Sequence, residues 1–463
     1  MLFDRQRKRA LLLRQQPVSA RKELLIRLEK FLLKNQERIN LAIHHDFSKP
    51  FAEVGLSELY PVLTEIRHAI KHLDEWTAPK KIDAPLTYLG TRSEIRVEPR
   101  GVCLIISPWN FPFNLCFGTL ISCLAAGNTA ILKPSEMTPS AAKLIEALVE
   151  EFFDDDHVAV VNGGSEVAAQ LLALPFDHIF FTGSPAVGKI VMKAAAGHLT
   201  SFTLELGGKS PVIIDRTADI SDAAKRIAFG KFINNGQTCI APDYVLVDVS
   251  IRDEFLAALK ANVLSLFGDN GKIDEGSASY ARIVDRRNFD RLERLLEDAI
   301  AAGARLEMSG KSNADARFMP PAIITEVSQD MAVMQEEIFG PILPVMTFSG
   351  LPEVISIING KPKPLALYIF SKNNRFKEEV LSNTSAGSVC VNDCVIQFSH
   401  PNLPFGGIGQ SGFGKAHGIY GFLAFSNEKP IVRQKRGFAA LYLIYPPYTA
   451  IVKKLIDLMI KWF

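Results

Sequence analysis

The sequence predicts an α/β fold of two units, each built on a mostly parallel sheet. Three observations carry this. From Gly101 onward short apolar runs alternate with helical segments, and strand–helix–strand alternation implies right-handed crossovers within a parallel sheet. The alternation pauses at "ELGGKSP", 205–211, and then resumes. The chain's 463 residues exceed what one ordinary core absorbs.

Residues 19–47 carry apolar side chains at helical spacing (Leu24, Leu25, Leu28, Phe31, Leu32) behind Ser19 as a cap, and a second helix is predicted over 54–76. The stretch "SEIRVEP", 93–99, alternates like a strand wet on one face. "GVCLII", "NTAILK", "HVAVVN" and "HIFF" read as buried strands, separated by the helices "TPSAAKLIEALVEEFF" and "EVAAQLLAL". Beyond Gly208 the strands are "SPVIID", "YVLVDV", "LALYIF" and "GSVCVN", with helices over 219–232, 252–266 and 286–302. At the end, 451–463 form an amphipathic helix. Lys453, Lys454, Asp457 and Lys461 share one sector, opposite Ile451, Val452, Leu455, Ile456, Met459, Trp462 and Phe463.

Composition narrows the function classes. A net charge of +2 gives no global field of the kind nucleic-acid binders carry. Six cysteines without a Cys-x-x-Cys pair form no disulfide framework and point to a reducing compartment. The N-terminal apolar run is too short for a signal peptide, and no uncharged stretch spans a bilayer. An intracellular, cytoplasmic protein is expected.

Chemistry concentrates in a few loops. "KFINNGQTCIAP" delivers Cys239 at the end of a polar, turn-forming stretch, the setting of a reactive thiol, whereas inert cysteines sit among apolar neighbours. In "FTGSPAVGK" a strand ends in Gly183, and Ser184 caps a helix whose free N–H groups suit a pyrophosphate; a plain tight turn reads equally well. Glu205 stands at a strand end before two glycines, placed for general-base work or simply at a hinge. "PWNFPF" holds Asn110 rigid between prolines, as an oxyanion donor or as a turn asparagine. "QEEIFGPILP" offers two acids to ribose hydroxyls, or to solvent. His68 and His72 have metal-ligand spacing, but no third ligand accompanies them, so a solvated helix face is expected and no metal. Cys390 and Cys394 read as buried packing residues.

Taken together, "FINNGQTC", "LELGGKSP", "PWNFP", "KPSEMTP" and "EEIFGP" resemble the signatures of the NAD(P)-dependent aldehyde dehydrogenases, in that family's order, from about Ser19 to about Arg436. The short N-terminus, "FGGIGQSGFGKAHG" and "YPPY" are similar to the class 3 branch, which includes fatty-aldehyde and coniferyl-aldehyde dehydrogenases. The resemblance implies an aldehyde dehydrogenase fold. A Rossmann-like cofactor domain would span 1–81 and 100–207, and an α/β catalytic domain 208–400. A small β oligomerisation arm would come from 82–99 and 418–436, before an amphipathic tail over 437–463. The fold would form a homodimer.

The same resemblance implies that Cys239 attacks the aldehyde to give a thiohemiacetal and then a thioester. Asn110 and the Cys239 N–H would form the oxyanion hole, and Glu205 would activate the hydrolytic water. Lys133 and Glu136 would hold the adenine ribose, with Gly183, Ser184 and Gly188 near the pyrophosphate. Glu337 would bind the nicotinamide ribose and Phe339 would pack near the ring. Glu136 would repel a 2′-phosphate and favour NAD, while Lys133 offsets that repulsion and leaves NADP open. The substrate would be a medium or long aliphatic, or aromatic, aldehyde. Gln397 stands where class 3 enzymes commonly carry a histidine, and His400 is expected at the surface. Two rivals are a CoA-acylating relative, against which Glu205 argues, and a catalytically silent scaffold. The tail, from about 449, would meet either a membrane surface or a partner subunit.

Overall fold

A computed structural model describes every residue except 270, 438 and 463. Its described residues form three sheets. The first has six strands in the order Gly412–Phe413, Ser201–Leu206, His178–Gly183, Val102–Ile106, Thr129–Lys133 and Val158–Val160. All pair in parallel except Gly412–Phe413, an antiparallel edge that sets Gly412 opposite Glu205. The second has seven strands, ordered Arg305–Met308, Ala322–Thr325, Ile342–Phe348, Tyr244–Asp248, Pro211–Ile214, Ala366–Phe370 and Ser388–Val391. Only its outermost strand, Arg305–Met308, is antiparallel. Helices cover the faces of both sheets, so central strands such as Val102–Ile106 and Ala366–Phe370 are buried throughout and read as unbroken apolar runs. The third sheet joins Lys80–Ile82, Thr91–Pro99 and Ser426–Gln434, the last two paired antiparallel over nine residues.

The N-terminal helices depart from the sequence reading. A helix over Leu2–Leu13, not anticipated, buries Phe3, Ala10 and Leu13, and the Gln6 amide donates to the Ala130 and Asp155 carbonyls at 3.0 Å each. The single helix expected over 19–47 is two, Val18–Lys34 and Gln36–Phe47. At the break, the Asn35 side chain takes the Phe31 carbonyl (2.9 Å), a local bond that competes with the backbone ladder. Ser19 is no cap: the helix starts at Val18 behind Pro17, with no side-chain cap bond. The helix expected over 54–76 is interrupted by a π turn, Gly55–Leu59, between Phe51–Val54 and Tyr60–Thr77.

That turn positions a buried charge. Glu58 pairs with Lys49 at 3.0 Å, both side chains wholly buried. Its other oxygen accepts the N–H groups of Phe113 (3.2 Å) and Asn114 (3.0 Å), orphan donors in the first turn of helix Pro112–Ala126. Lys49 also lies over the Phe111 ring, 4.5 Å from its centroid. The loop carrying Asn110 is thereby held from beneath.

The tail forms a helix over Ala450–Trp462 with no buried residue. Phe463, assigned above to its apolar side, lies outside the described residues. Among the described residues no helix is long and apolar enough to cross a membrane.

Removing one partner of a buried pair strands the other charge. Lys49→Met is therefore expected to cost about 3–5 kcal/mol of stability, read as a lowered denaturant midpoint.

Candidate active site

The chain crosses from the first sheet to the second through Leu206, Gly207 and Gly208, and a cleft of about 220 Å³ opens at that crossing. Its walls include Asn110, Gly183, Ser184, Glu205, Cys239, Glu337 and Phe339. Strands Val102–Ile106, His178–Gly183 and Ser201–Leu206 all run toward it at their carboxyl ends, where open α/β sheets bind ligands.

The loop before Cys239 is irregular because its backbone is left-handed three times running: Asn234 (φ 52°), Asn235 (φ 54°) and Gly236 (φ 74°). Asparagine tolerates this region better than most residues. At Gly236 a side chain is excluded outright, since a Cβ would lie 2.3 Å from the Gly340 carbonyl oxygen. Buried amides tie the loop down. Asn235 Nδ2 donates to Ala281 O (2.9 Å), Gln237 Nε2 to Asn234 O (2.9 Å) and Arg282 O (3.0 Å), and the Asn234 N–H to Glu53 Oε1 (2.8 Å). Cys239 emerges partly exposed, whereas the other five cysteines are buried.

Asn110 bridges the two halves. Its Nδ2 donates to Gln237 O at 3.1 Å, and its carbonyl accepts Asn234 Nδ2 at 2.9 Å. A primary amide has two N–H donors, so one remains for a ligand.

Two carboxylates complete the cleft. Glu205 is 5 % exposed; Thr182 Oγ1 donates to its Oε2 at 3.4 Å, while Oε1 has no partner among the described residues. Burial raises its pKa to about 6, with His417, Thr182 and Lys415 opposing the rise. Glu337 lies against Gly207, where a Cβ would come within 2.2 Å of its carboxylate oxygen. Burial, reinforced by Asp243, raises it to about 8. Burial and both carboxylates push the Cys239 thiol above the ordinary cysteine range, so at rest it holds its proton.

A partly exposed thiol, a side-chain amide and two raised carboxylates facing one cleft form an acyl-transfer constellation. Residues 4–431 match the aldehyde dehydrogenase family. The chain belongs to that family. It is 44 % identical over 432 residues to the 4,4′-diaponeurosporen-aldehyde dehydrogenase of Staphylococcus aureus, covering 93 % of this chain and 92 % of that one. To aldehyde dehydrogenase family 3 member A2 of Mus musculus it is 41 % identical over 435 residues, covering 94 % and 88 % respectively. The solved structure described as the substrate-bound state of Staphylococcus aureus AldH superimposes with a TM-score of 0.94 at 41 % identity, over 99 % of this chain and 98 % of that one. The protein is an NAD(P)-dependent aldehyde dehydrogenase of the class 3-like branch, acting on a small-molecule aldehyde, and the reading as a silent scaffold falls.

Not every residue singled out by sequence reaches the cleft of this aldehyde dehydrogenase. Lys133 ends the strand beside Val102–Ile106 and pairs with Glu136 at 3.1 Å, outside the cleft wall. Gly188 sits within helix Pro185–Ala196, where a Cβ would meet Leu206 at 2.8 Å; it allows the helix to approach the sheet. Gln397 is buried and donates to the Tyr368 hydroxyl (3.1 Å), and it is its neighbour Phe398 that lines the cleft. His400 is exposed. The sequence reading missed Thr182, Lys415 and His417 around Glu205, although Lys415 and His417 lie inside "FGKAHG". It also missed the Lys209–Asp243 ion pair, whose Asp243 accepts the Ile338 N–H (3.0 Å) and so fixes the segment bearing Glu337. The clue was the lysine of "LELGGKSP" itself.

Because both carboxylates raise the thiol, Glu337→Gln should lower it. Above about pH 8, where Glu337 is ionised in the native enzyme, iodoacetamide should alkylate Cys239 faster in that variant. Mass mapping of the labelled cysteine checks this.

Proposed function

We propose that Cys239 is the nucleophile, Asn110 and the Cys239 N–H the oxyanion donors, and Glu205 the base that activates the deacylating water. The juxtaposition of Cys239 with Glu205 across the crossing between the sheets carries this reading. Cys239 passes its proton to water in the cleft as its sulfur bonds to the aldehyde carbon, and the new alkoxide meets the free Asn110 amide hydrogen. Bound NAD(P)⁺ supplies the hydride acceptor. Glu205, whose Oε1 has no partner among the described residues, then takes one proton from the water that attacks the thioester; the expelled sulfur takes the other, so a carboxylate and the thiol are released and one proton stays on Glu205.

The residues fit that cofactor. Gly183 and Ser184 open a twelve-residue helix at the cleft wall, so N-terminal N–H groups and the helix dipole are presented to a pyrophosphate. Glu337 would hold the nicotinamide ribose, and Phe339, edge-on to Trp109 at 5.1 Å, would pack near the ring. Lys133 neutralises Glu136, which lessens repulsion of a 2′-phosphate; NAD is preferred and NADP tolerated. Aromatic and aliphatic walls (Trp109, Leu115, Phe398, Phe405) favour medium or long aliphatic, or aromatic, aldehydes.

Two surfaces extend the reading. Among the described residues, 426–433 lie on the outer strand of the three-stranded sheet, and Ser388–Val391 is the outermost strand of the seven-stranded one, with Val389 and Val391 exposed. Edges of this kind recruit strands, which supports a homodimer. The tail helix, beside exposed Tyr442, Leu443 and the Leu86–Tyr88 turn, presents lysines and apolar side chains on opposite faces, as peripheral membrane contact requires.

Following reduced nicotinamide by absorbance tests the mechanism. Cys239→Ala should abolish turnover, and Asn110→Ala should lower kcat by about 10²–10³-fold. A base acts only when ionised, so deacylation should fall as pH drops below about 6 and flatten above it. A pH-independent deacylation would remove Glu205 from the role. Val389→Lys with Val391→Lys should shift the enzyme toward monomer in sedimentation velocity if that edge pairs.

A further inference from the structure

Deacylation leaves a proton on Glu205, and oxidation of an aldehyde to a carboxylate releases protons as well as reduced cofactor. While acid and cofactor occupy the cleft, its mouth is a poor exit. Glu205 also borders a second, smaller cavity, lined by Asn114, Thr119, Ser122 and His417, with room for a water. His417 stands between two carboxylates. Its Nδ1 lies 3.8 Å from Glu65 Oε2, and its pKa is displaced by both Glu65 and Glu205. Burial alone would lower the imidazole, yet the neighbouring Glu65 and Glu205 carboxylates raise it above the ordinary histidine value. Phe398 and Phe405 pack edge-on against the ring, at 4.7 and 5.5 Å, and separate it from the cleft.

The chain of groups continues outward. Glu65 is anchored by the Gly418 N–H on Oε1 (2.8 Å). His68, one turn along the same helix, abuts Gly418, where a Cβ would lie 3.2 Å from His68 Nε2. The rings of His68 and His72 are 4.5 Å apart, and His72 Nδ1 reaches Glu75 at 3.3 Å, whose side chain is 79 % exposed. Lys415, the other cation beside Glu205, is held by the Gly406 carbonyl at 2.6 Å.

We propose that Glu205 discharges its proton away from the cleft, through this cavity to His417 and Glu65, and out along His68 and His72. The water O–H bond breaks toward Glu205 as the carbon–oxygen bond forms; Glu205 then protonates the cavity water or His417, and bulk water finally accepts a proton from the half-buried His68 and His72 beside exposed Glu75. No oxidant is involved. The histidine pair thereby acquires a use. The proposal rests on Glu205 as the deacylating base. His417 and Glu65 act through Glu205 and are positioning and relay groups.

The test is rapid mixing of aldehyde and NAD⁺ with the full-length enzyme and its variants in weakly buffered solution. His417→Asn keeps a residue that tolerates φ 69° but cannot titrate. It should show the native first burst of reduced nicotinamide, followed by steady-state turnover slowed about tenfold or more. Added imidazole should restore that turnover in proportion to its concentration. Glu65→Gln, which keeps an acceptor for the Gly418 N–H, should show the same pattern and serves where His417→Asn does not fold. Unchanged turnover, an equal loss in the burst, or a loss that imidazole does not restore would overturn the relay. A Glu205→Gln control that turns over normally would instead overturn the base assignment beneath it.

Discussion

The hydrogen bond from the Asn110 amide to the Gln237 carbonyl, 3.1 Å long and buried, joins a loop of the six-stranded sheet to the loop that presents Cys239 from the seven-stranded one. The cleft depends on that join, because Cys239 and Glu205 belong to different sheets. Each side is fixed separately before they meet. Lys49 and Glu58 hold the Asn110 loop from below, and a set of buried amides forces Asn234, Asn235 and Gly236 into left-handed backbone. Such strain persists only where the surroundings over-determine it.

Electrostatics follow from the same enclosure. Cys239, Glu205 and Glu337 are all displaced toward their protonated forms, burial being the largest cause in each. A native state that binds more protons than the unfolded chain loses stability as pH rises. For these carboxylates the loss runs from the ordinary value of 4.5 through about 6 for Glu205 and about 8 for Glu337. The site thus sacrifices stability for a resting thiol that becomes nucleophilic only when its proton has somewhere to go.

Much of this was legible in the sequence. Buried parallel strands appear as apolar runs, the sheet crossing as paired glycines, and the partly exposed Cys239 as a thiol stranded among turn residues. What escaped has physical reasons. Asn35 interrupts a stretch whose apolar spacing stays helical through its local bond to the Phe31 carbonyl, and the π turn at Gly55–Leu59 carries Glu58 into its tertiary pairing with Lys49. The close packing of Gly188 on Leu206, which leaves no room for a side chain, is visible only in the tertiary structure. The contact of Glu65 with Gly418 spans 353 positions, and nothing local in either segment announces it.

The account stands most directly on a covalent intermediate. Glu205→Gln enzyme, mixed with a straight-chain aldehyde and NAD⁺ and quenched in acid, should carry the acyl group in the intact-protein mass spectrum, mapped by peptide analysis to Cys239. An acyl group on another cysteine, or none despite reduced cofactor being formed, would contradict the central claim.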